Sequence, residues 1–188
     1  MSELGSAISA DLARYLRESQ SRGAKVGALI QQYGLQATIV YRIGRWLKHR
    51  SRQPWWWPLV IPGWLFYLPA AWFMRAGYGV HLDLSADIGP GLYVGHFGNI
   101  LVANCVMGPG CNVGEQTRVG SLEEKNGPRI GARVWLGGHS VVSGNVQIGD
   151  GATIGAGARV GNDVPPRALI MGNPSRVISR DYDNSAIL

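Results

Sequence analysis

An aliphatic residue recurs every six positions from Leu82 to Val160, and this period constrains the fold more than any other feature of the chain. The series is Leu82, Ile88, Val94, Ile100 and Val106, then Val113 and Val119, then Ile130, Leu136, Val142, Ile148, Ile154 and Val160. Glycine follows at nine of these thirteen positions, as in IGPGLY, IGDGAT and IGAGAR. Four positions after the aliphatic residue comes a small or β-branched one, at Ala86, Thr117, Val134, Ser140, Val146, Ala152, Ala158 and Val164. Six matches neither the 3.6-residue period of a helix nor the two-residue period of a strand. It is the period of a parallel β-helix, in which short strands and tight corners wind into a prism. Each aliphatic side chain points inward and stacks on its equivalent one coil away, at a strand spacing of roughly 4.8 Å. The glycine allows the backbone corner. No single coil buries its own core, so the repeats must follow one another without large gaps. Two interruptions are read: one extra residue in VMGPGCN, and five in GSLEEKNGPR before Ile130. The second is long enough to leave the prism as an excursion loop, where function tends to concentrate.

The fold class expected is therefore mainly β, a parallel β-helix over residues 80–179. It follows an N-terminal α-helical region (1–53) and a Trp/Pro-rich apolar segment (54–79). Residues 180–188 form a polar tail expected to fray. The first twenty residues carry acids and no apolar run, which does not fit a signal peptide. Two cysteines, Cys105 and Cys111, are too few for a disulfide framework and read as small core residues. A cytoplasmic location is expected.

A helix is expected over 9–22, with Ser9 as N-cap, Leu12, Tyr15 and Leu16 on one face, and Gly23 as its stop. A second runs from Val26 to His49, broken at Gly34, with Leu35, Ile39, Ile43 and Leu47 sharing a face and Arg42, Arg45 and Lys48 opposite. No acidic residue lies between Glu18 and Asp83, whereas eight basic ones do. Residues 55–74 carry no charge, but Pro58, Pro62 and Pro69 argue against an unbroken span. Six of the seven tryptophans lie between Trp46 and Trp72. Aromatic residues beside Lys and Arg suit a contact with the lipid headgroup region through 42–75, peripheral at the inner face of the membrane. Burial against protein is the competing reading. The positive charge comes with no nucleic-acid recognition motif, so no nucleic-acid partner is expected.

Of the four histidines, His49 reads as a solvated helix end, His81 and His96 fall early in the repeat, and His139 lies in LGGHSVV. His96 stands two positions after the inward Val94 and between Gly95 and Gly98, so it should face outward with room for a ligand. Histidine is the side chain whose ordinary pKa suits a base near neutral pH. A general base and a satisfied surface histidine both remain open on these residues alone.

IGPGLYVGHFGNILV, together with RIGARVWLGGHSVVSGNVQIGDGATIGAGARVGNDVPPRALIMGNPSRVI, resembles the hexapeptide-repeat acyltransferases of the serine acetyltransferase-like branch. The resemblance implies a left-handed β-helix, a homotrimer with sites between subunits, and an acetyl-CoA-dependent O-acetyltransferase with acetyl-CoA as co-substrate and no metal. It places His96 as the general base of a direct transfer. It gives Gly120, Gly138, His139, Ala156 and Gly157 to the coenzyme A site, with Arg159 or Arg176 toward the phosphates or as ordinary surface arginines. Serine acetyltransferases orient the base with an aspartate fifteen residues earlier, a position held here by His81, with Asp83 two residues on. A second histidine of those enzymes, before P-K-I, is matched by Gly127 in NGPRI. These departures point away from free serine. GLQATIVYRIGRWL, the tryptophan-rich run and GLYVGHFGN look like acetyltransferases of exopolysaccharide pathways, of the colanic acid type, which implies a hydroxyl on a sugar or lipid-linked saccharide as acceptor. Serine O-acetylation for cysteine synthesis is the alternative. Two further classes are a catalytically silent scaffold and a metal-dependent hydratase, whose histidine spacing His81, His96 and His139 do not reproduce.

Overall fold

The computed structural model describes residues 3–16, 22–95, 98–123 and 126–188. His96 lies outside the described residues, as do Phe97, Glu124, Lys125 and most of the last turn of the helix expected to end at 22.

The repeat winds about five coils. The first holds β1 (Val80–Leu82), β2 (Asp87–Ile88) and β3 (Tyr93–Val94), and the second β4 (Ile100–Val102), β5 (Val106–Met107) and β6 (Asn112–Val113). The third holds β7 (Arg118–Val119), β8 (Arg129–Ile130) and β9 (Trp135–Leu136), and the fourth β10 (Val141–Val142), β11 (Gln147–Ile148) and β12 (Thr153–Ile154). The last holds β13 (Arg159–Val160), a bridge from Val164 to Ile148, and β14 (Leu169–Met171), against which β15 (Arg176–Ser179) folds back antiparallel. Strands three apart in the chain pair in parallel, giving three faces: β1-β4-β7-β10-β13, β2-β5-β8-β11 and β3-β6-β9-β12-β14-β15.

Register places one inward side chain per face directly over the next. Leu82, Val102, Val119, Val142 and Val160 form one column, and Val94, Val113, Leu136, Ile154 and Ile170 another. The third column is Ile88, Met107, Ile130 and Ile148, and all of these residues are buried. Met107, not Val106, is therefore the inward residue of the second coil; Val106 is 44% exposed. The cause lies upstream. Val94 to Ile100 is bridged by five residues (95–99), whereas the equivalent corners 114–116, 137–139 and 155–157 have three. The next connection, Val102 to Met107, is one residue shorter than Leu82 to Ile88. The single extra residue assigned to VMGPGCN is thus a two-residue insertion in the corner that carries His96, less one residue after it.

The glycine after the inward residue is needed for stacking rather than for a special backbone angle. A Cβ at Gly89 would lie 2.7 Å from the Pro109 nitrogen, and one at Gly114 2.6 Å from that of Gly138. At Gly89, Gly108, Gly114, Gly131, Gly137 and Gly149 the next coil sits too close for any side chain.

The helices are α1 (Glu3–Tyr15), α2 (Arg22–Gln31), α3 (Tyr33–Arg50) and α4 (Trp57–Gly77), with a single 3₁₀ turn at Pro54–Trp56. Ser9 lies inside α1, and Gly23 inside α2 rather than at a helix end. The break expected at Gly34 falls at Gln32, and Gly34 is buried in α3, where a Cβ would overlap Val94 of the solenoid. α4 runs unbroken through Pro62 and Pro69. Its inner face packs closely on α3, where a Cβ on Gly63 would come 2.6 Å from the Leu47 side chain.

The first coil has no coil beneath it, and its open backbone groups are met by helix side chains. The Tyr15 hydroxyl donates to the Val94 carbonyl (3.1 Å) and accepts from the Val94 N–H (2.9 Å). The Tyr41 hydroxyl does the same for Ala86 O (2.8 Å) and Ile88 N–H (3.2 Å). Arg42, expected on a solvent-facing basic side, is buried: it donates to both carboxylate oxygens of Asp11 (2.8 and 3.1 Å) and to the carbonyls of Ile88 and Gly89. Asp11 Oδ1 accepts from Leu92 N–H (2.9 Å). Arg45 bonds Asp87 (2.7 Å) and Lys48 the Leu84 carbonyl (2.9 Å). Apart from the Arg42–Asp11 and Arg45–Asp87 ion pairs, each of these contacts meets a backbone group of the first coil that has no coil below to bond it. Burial pushes the Tyr41 hydroxyl up to about 12. At the far end the tail is not frayed. Tyr182 N–H bonds the Arg167 carbonyl (2.7 Å), and the buried Asn184 donates to Arg133 O (3.0 Å).

Candidate active site

The corners joining the third face to the first stack into one edge of the prism. From the first coil upward they are 95–99, 114–116, 137–139 and 155–157. Hydrogen bonds run along it: Gln116 N–H to Gly98 O (2.9 Å), His139 N–H to Glu115 O (2.8 Å), Gly157 N–H to Gly138 O (2.9 Å) and Arg159 N–H to Gly172 O (3.2 Å). Gly138, His139, Ala156 and Gly157 are thereby brought onto a single edge headed by the corner that contains His96. His139 and Gly157 hold left-handed φ values of 61° and 70°, which bend the backbone outward at equivalent positions. Ala156, Gly157 and Arg159 are exposed there, so a thin, extended ligand would meet backbone and small side chains. Arg176 lies on β15, paired to Met171 at the end of the third face. Gly120 does not join this group. It follows β7 at the opposite end of the first face, where a Cβ would overlap the carbonyl of Ala103.

His81 and Asp83 flank the inward Leu82 and share the outer surface of the first face, with His81 Nε2 3.4 Å from Asp83 Oδ2. Burial, with Arg75 in support, pushes His81 below its usual value, although Asp83 pulls the other way. Partial burial works against ionised Asp83, yet hydrogen bonds from Ser85 and the charges of His81 and Lys48 hold its carboxyl below the usual range. His81 is therefore a neutral imidazole at neutral pH beside an ionised carboxylate.

A groove of about 640 Å³ runs from His81 to the His96 corner, lined by Arg75, Gly79, His81, Asn99, Gln116 and Arg118 among others. Among the described residues no acidic one lines it, although Asp83 borders the adjoining hollow of about 390 Å³ between α4 and β1. Arg118 was not singled out from the sequence, but the register contained it. His81 pairs with Leu101 and Leu101 with Arg118, so the guanidinium stands two rungs above the imidazole on one column. Arg75 comes from the last turn of α4, a position that no repeat pattern reveals. Gly127 is fixed by packing, because a Cβ there would overlap the Asn104 carbonyl. Asn104 Nδ2 also ties the excursion loop down by donating to Ser121 O (2.7 Å).

This architecture is a hexapeptide-repeat solenoid, and residues 127–162 match the family described as bacterial transferase hexapeptide (six repeats). Serine acetyltransferase of Synechococcus elongatus is 32% identical over 151 residues, which are 78% of this chain and 57% of that protein. Soybean serine acetyltransferase, in a structure complexed with serine, superposes with a TM-score of 0.76 at 27% identity, covering 93% of this chain and 69% of that one. The serine acetyltransferase of Neisseria gonorrhoeae gives 0.78 at 25% identity over 98% of this chain and 69% of its own. Coverage so broad takes in the N-terminal helices as well as the prism. The chain is thus similar, over most of its length, to hexapeptide-repeat acyltransferases of the serine acetyltransferase type. The likeness expected to exopolysaccharide enzymes finds no support among these relatives, and this chain spans little more than half of the cyanobacterial one.

Proposed function

We propose that the protein is an acetyl-CoA-dependent O-acetyltransferase working in the cytoplasm as a homotrimer, with L-serine as its acceptor. The observation that carries this reading is the stacked edge. It sets the corner bearing His96 at the head of a column of small, outward-bent corners, beside a groove lined by cations. In the reaction, His96 removes the proton from the acceptor hydroxyl as its oxygen bonds to the thioester carbonyl carbon. The carbon–sulfur bond then breaks, the acetyl ester remains on the acceptor, and coenzyme A leaves as the thiol with the proton returned to sulfur. A base placed this way is worth on the order of 10²- to 10⁴-fold in rate. Backbone N–H groups of the glycine corners would meet the developing oxyanion. Ala156, Gly157 and Gly138 offer a path for the pantetheine arm, and Arg159 stands where its phosphates would lie. Arg75 and Arg118 suit the carboxylate of an amino-acid acceptor. His81, at the chain position of the orienting aspartate, and the ionised Asp83 beside it are the groups this reading assigns to orienting the base.

A membrane-borne saccharide is the second reading. It is favoured by Gly127, which leaves no side chain where serine enzymes place a histidine, and by the exposed α4 beside the groove. Free-thiol release from acetyl-CoA separates the two. Turnover with L-serine that falls by at least about a hundredfold in His96→Ala supports the proposal. Turnover with saccharide acceptors alone moves it to the second reading, and no thiol release with either overturns both.

A further inference from the structure

We infer that α4 lies in the plane of a bilayer surface, with its outer face in the acyl boundary and anionic headgroups around its first turn. The helix has two unlike sides. Val60, Gly63, Trp64, Tyr67 and Met74 turn toward α3 and β1. Leu59, Ile61, Leu65 and Phe66 face outward and are all more than half exposed, Phe66 at 77%, while Leu68 and Trp72, equally exposed, rim the hollow beside β1. The segment Pro54–Gly77 is long and apolar enough to cross a membrane, yet the way it is tethered rules out a span. Its first turn follows α3, and Gly77 leads directly into β1. α3 itself packs on β1 and β3. A spanning helix would hold α3 and β1 roughly 30 Å apart on opposite sides of the hydrocarbon. They touch, so the helix can only lie along the surface.

Charge selects lipid over a second copy of the chain. Arg42, Arg45 and Lys48 are used on the solenoid, which removes the basic face expected from the sequence. Arg50 and Arg52 remain at the head of α4, with the Arg50 guanidinium stacked 4.4 Å from the Trp56 ring and Trp55 exposed beside it. Arg75 closes the other end. Two α4 helices paired parallel would bring collar against collar, and paired antiparallel would bring collar against Arg75. Residues 19–82 hold no acid to offset either arrangement; Glu3 shares a hollow with Arg50 and Arg52, a single carboxylate against two guanidiniums, and Asp83 one with Arg75. Anionic headgroups neutralise the collar, and the flanking tryptophans suit the interface. This inference does not depend on the acceptor.

The test uses the full chain and sedimentation with phosphatidylcholine vesicles, with and without phosphatidylglycerol. Binding to the anionic vesicles is expected, weakening by about fivefold for each of Arg50→Gln and Arg52→Gln and falling with salt. Leu65→Glu/Phe66→Glu should weaken it by at least about tenfold while Phe66→Leu does not. Circular dichroism and light scattering should show helix content and oligomeric state unchanged in that double variant. The inference is overturned by a wild-type chain that ignores anionic vesicles, or by a double variant that binds as well as wild type. It is equally overturned if the double variant changes oligomeric state, which would make α4 a subunit contact.

Discussion

Replacing Arg42 by methionine is the sharpest test of how the helices are fastened to the solenoid. The Asp11 carboxylate is 0% exposed and has three described donors, two from Arg42 and one from the Leu92 N–H. Removing the guanidinium leaves an ionised carboxylate in the interior and frees the carbonyls of Ile88 and Gly89. Breaking one side of a buried pair costs about 3–5 kcal/mol, a large share of the roughly 5–15 kcal/mol that holds a typical domain together. Asp11→Asn should cost less, about 1–3 kcal/mol, because the amide oxygen can still accept from Leu92 and Arg42 keeps its two carbonyls. Asp11→Asn with Arg42→Met removes both charges, so the double variant should be more stable than the sum of the two single effects implies, by about 2 kcal/mol or more. Urea unfolding followed by far-ultraviolet circular dichroism, at one fixed protein concentration, measures all three. Arg42→Met costing under about 1 kcal/mol, or singles that simply add, would show that the pair does not carry the helix–solenoid contact.

The lowered His81 pKa has a signed consequence. Between that value and the ordinary 6.5 the folded chain binds fewer protons than the unfolded one, so this stabilisation is full above 6.5 and is lost as pH falls through the lowered value. Melting should therefore fall from about pH 8 to about pH 5, and less so in His81→Asn; an identical fall in the variant would assign the effect elsewhere. Gly127→Ala should destabilise by about 1–3 kcal/mol through overpacking against Asn104, and an unchanged melting temperature would mean the excursion loop simply shifts. Burial pushes Cys105 up to about 12 and Cys111 up to about 11. Both should resist iodoacetamide in the folded protein near pH 8 and react in urea. Rapid labelling of the native chain would contradict their burial.

Much of the prism was readable because its period is strict. Ala86, Thr117, Ser140 and Ala158 fall inward as their spacing requires, since a coil that stacks on itself admits only small or branched residues there. The reading slipped by two residues at Ile100, where Val102 takes the column position, and by one at Val106, because a two-residue insertion after Val94 and a deletion before Met107 nearly cancel in a count of sixes. That insertion is the corner of His96, so the local departure from regularity marks the candidate site better than the period does. The helices were less legible. Arg42 lies among cations and looks solvated, and Tyr15 looks like one apolar contact among three. Only the register of the first coil reveals the backbone groups that these side chains satisfy. The prolines of α4 misled for a related reason: local preference argues against a helix that the packing of Gly63 on Leu47 helps to hold.

The two tyrosine hydroxyls beneath the first coil bear on why the coils of separate copies do not stack end to end. A stack of parallel coils has no intrinsic length, because each added coil offers the next the same hydrogen-bonding template, as the layers of a fibril do. Tyr15 and Tyr41 each imitate a strand for one step, donating once and accepting once, and then offer nothing further to pair with. The antiparallel β15 ends growth along one face at the other end. What separates this molecule from a filament is thus a few side-chain groups, and shaving α1 and α3 from its base would expose the edges along which copies could polymerise.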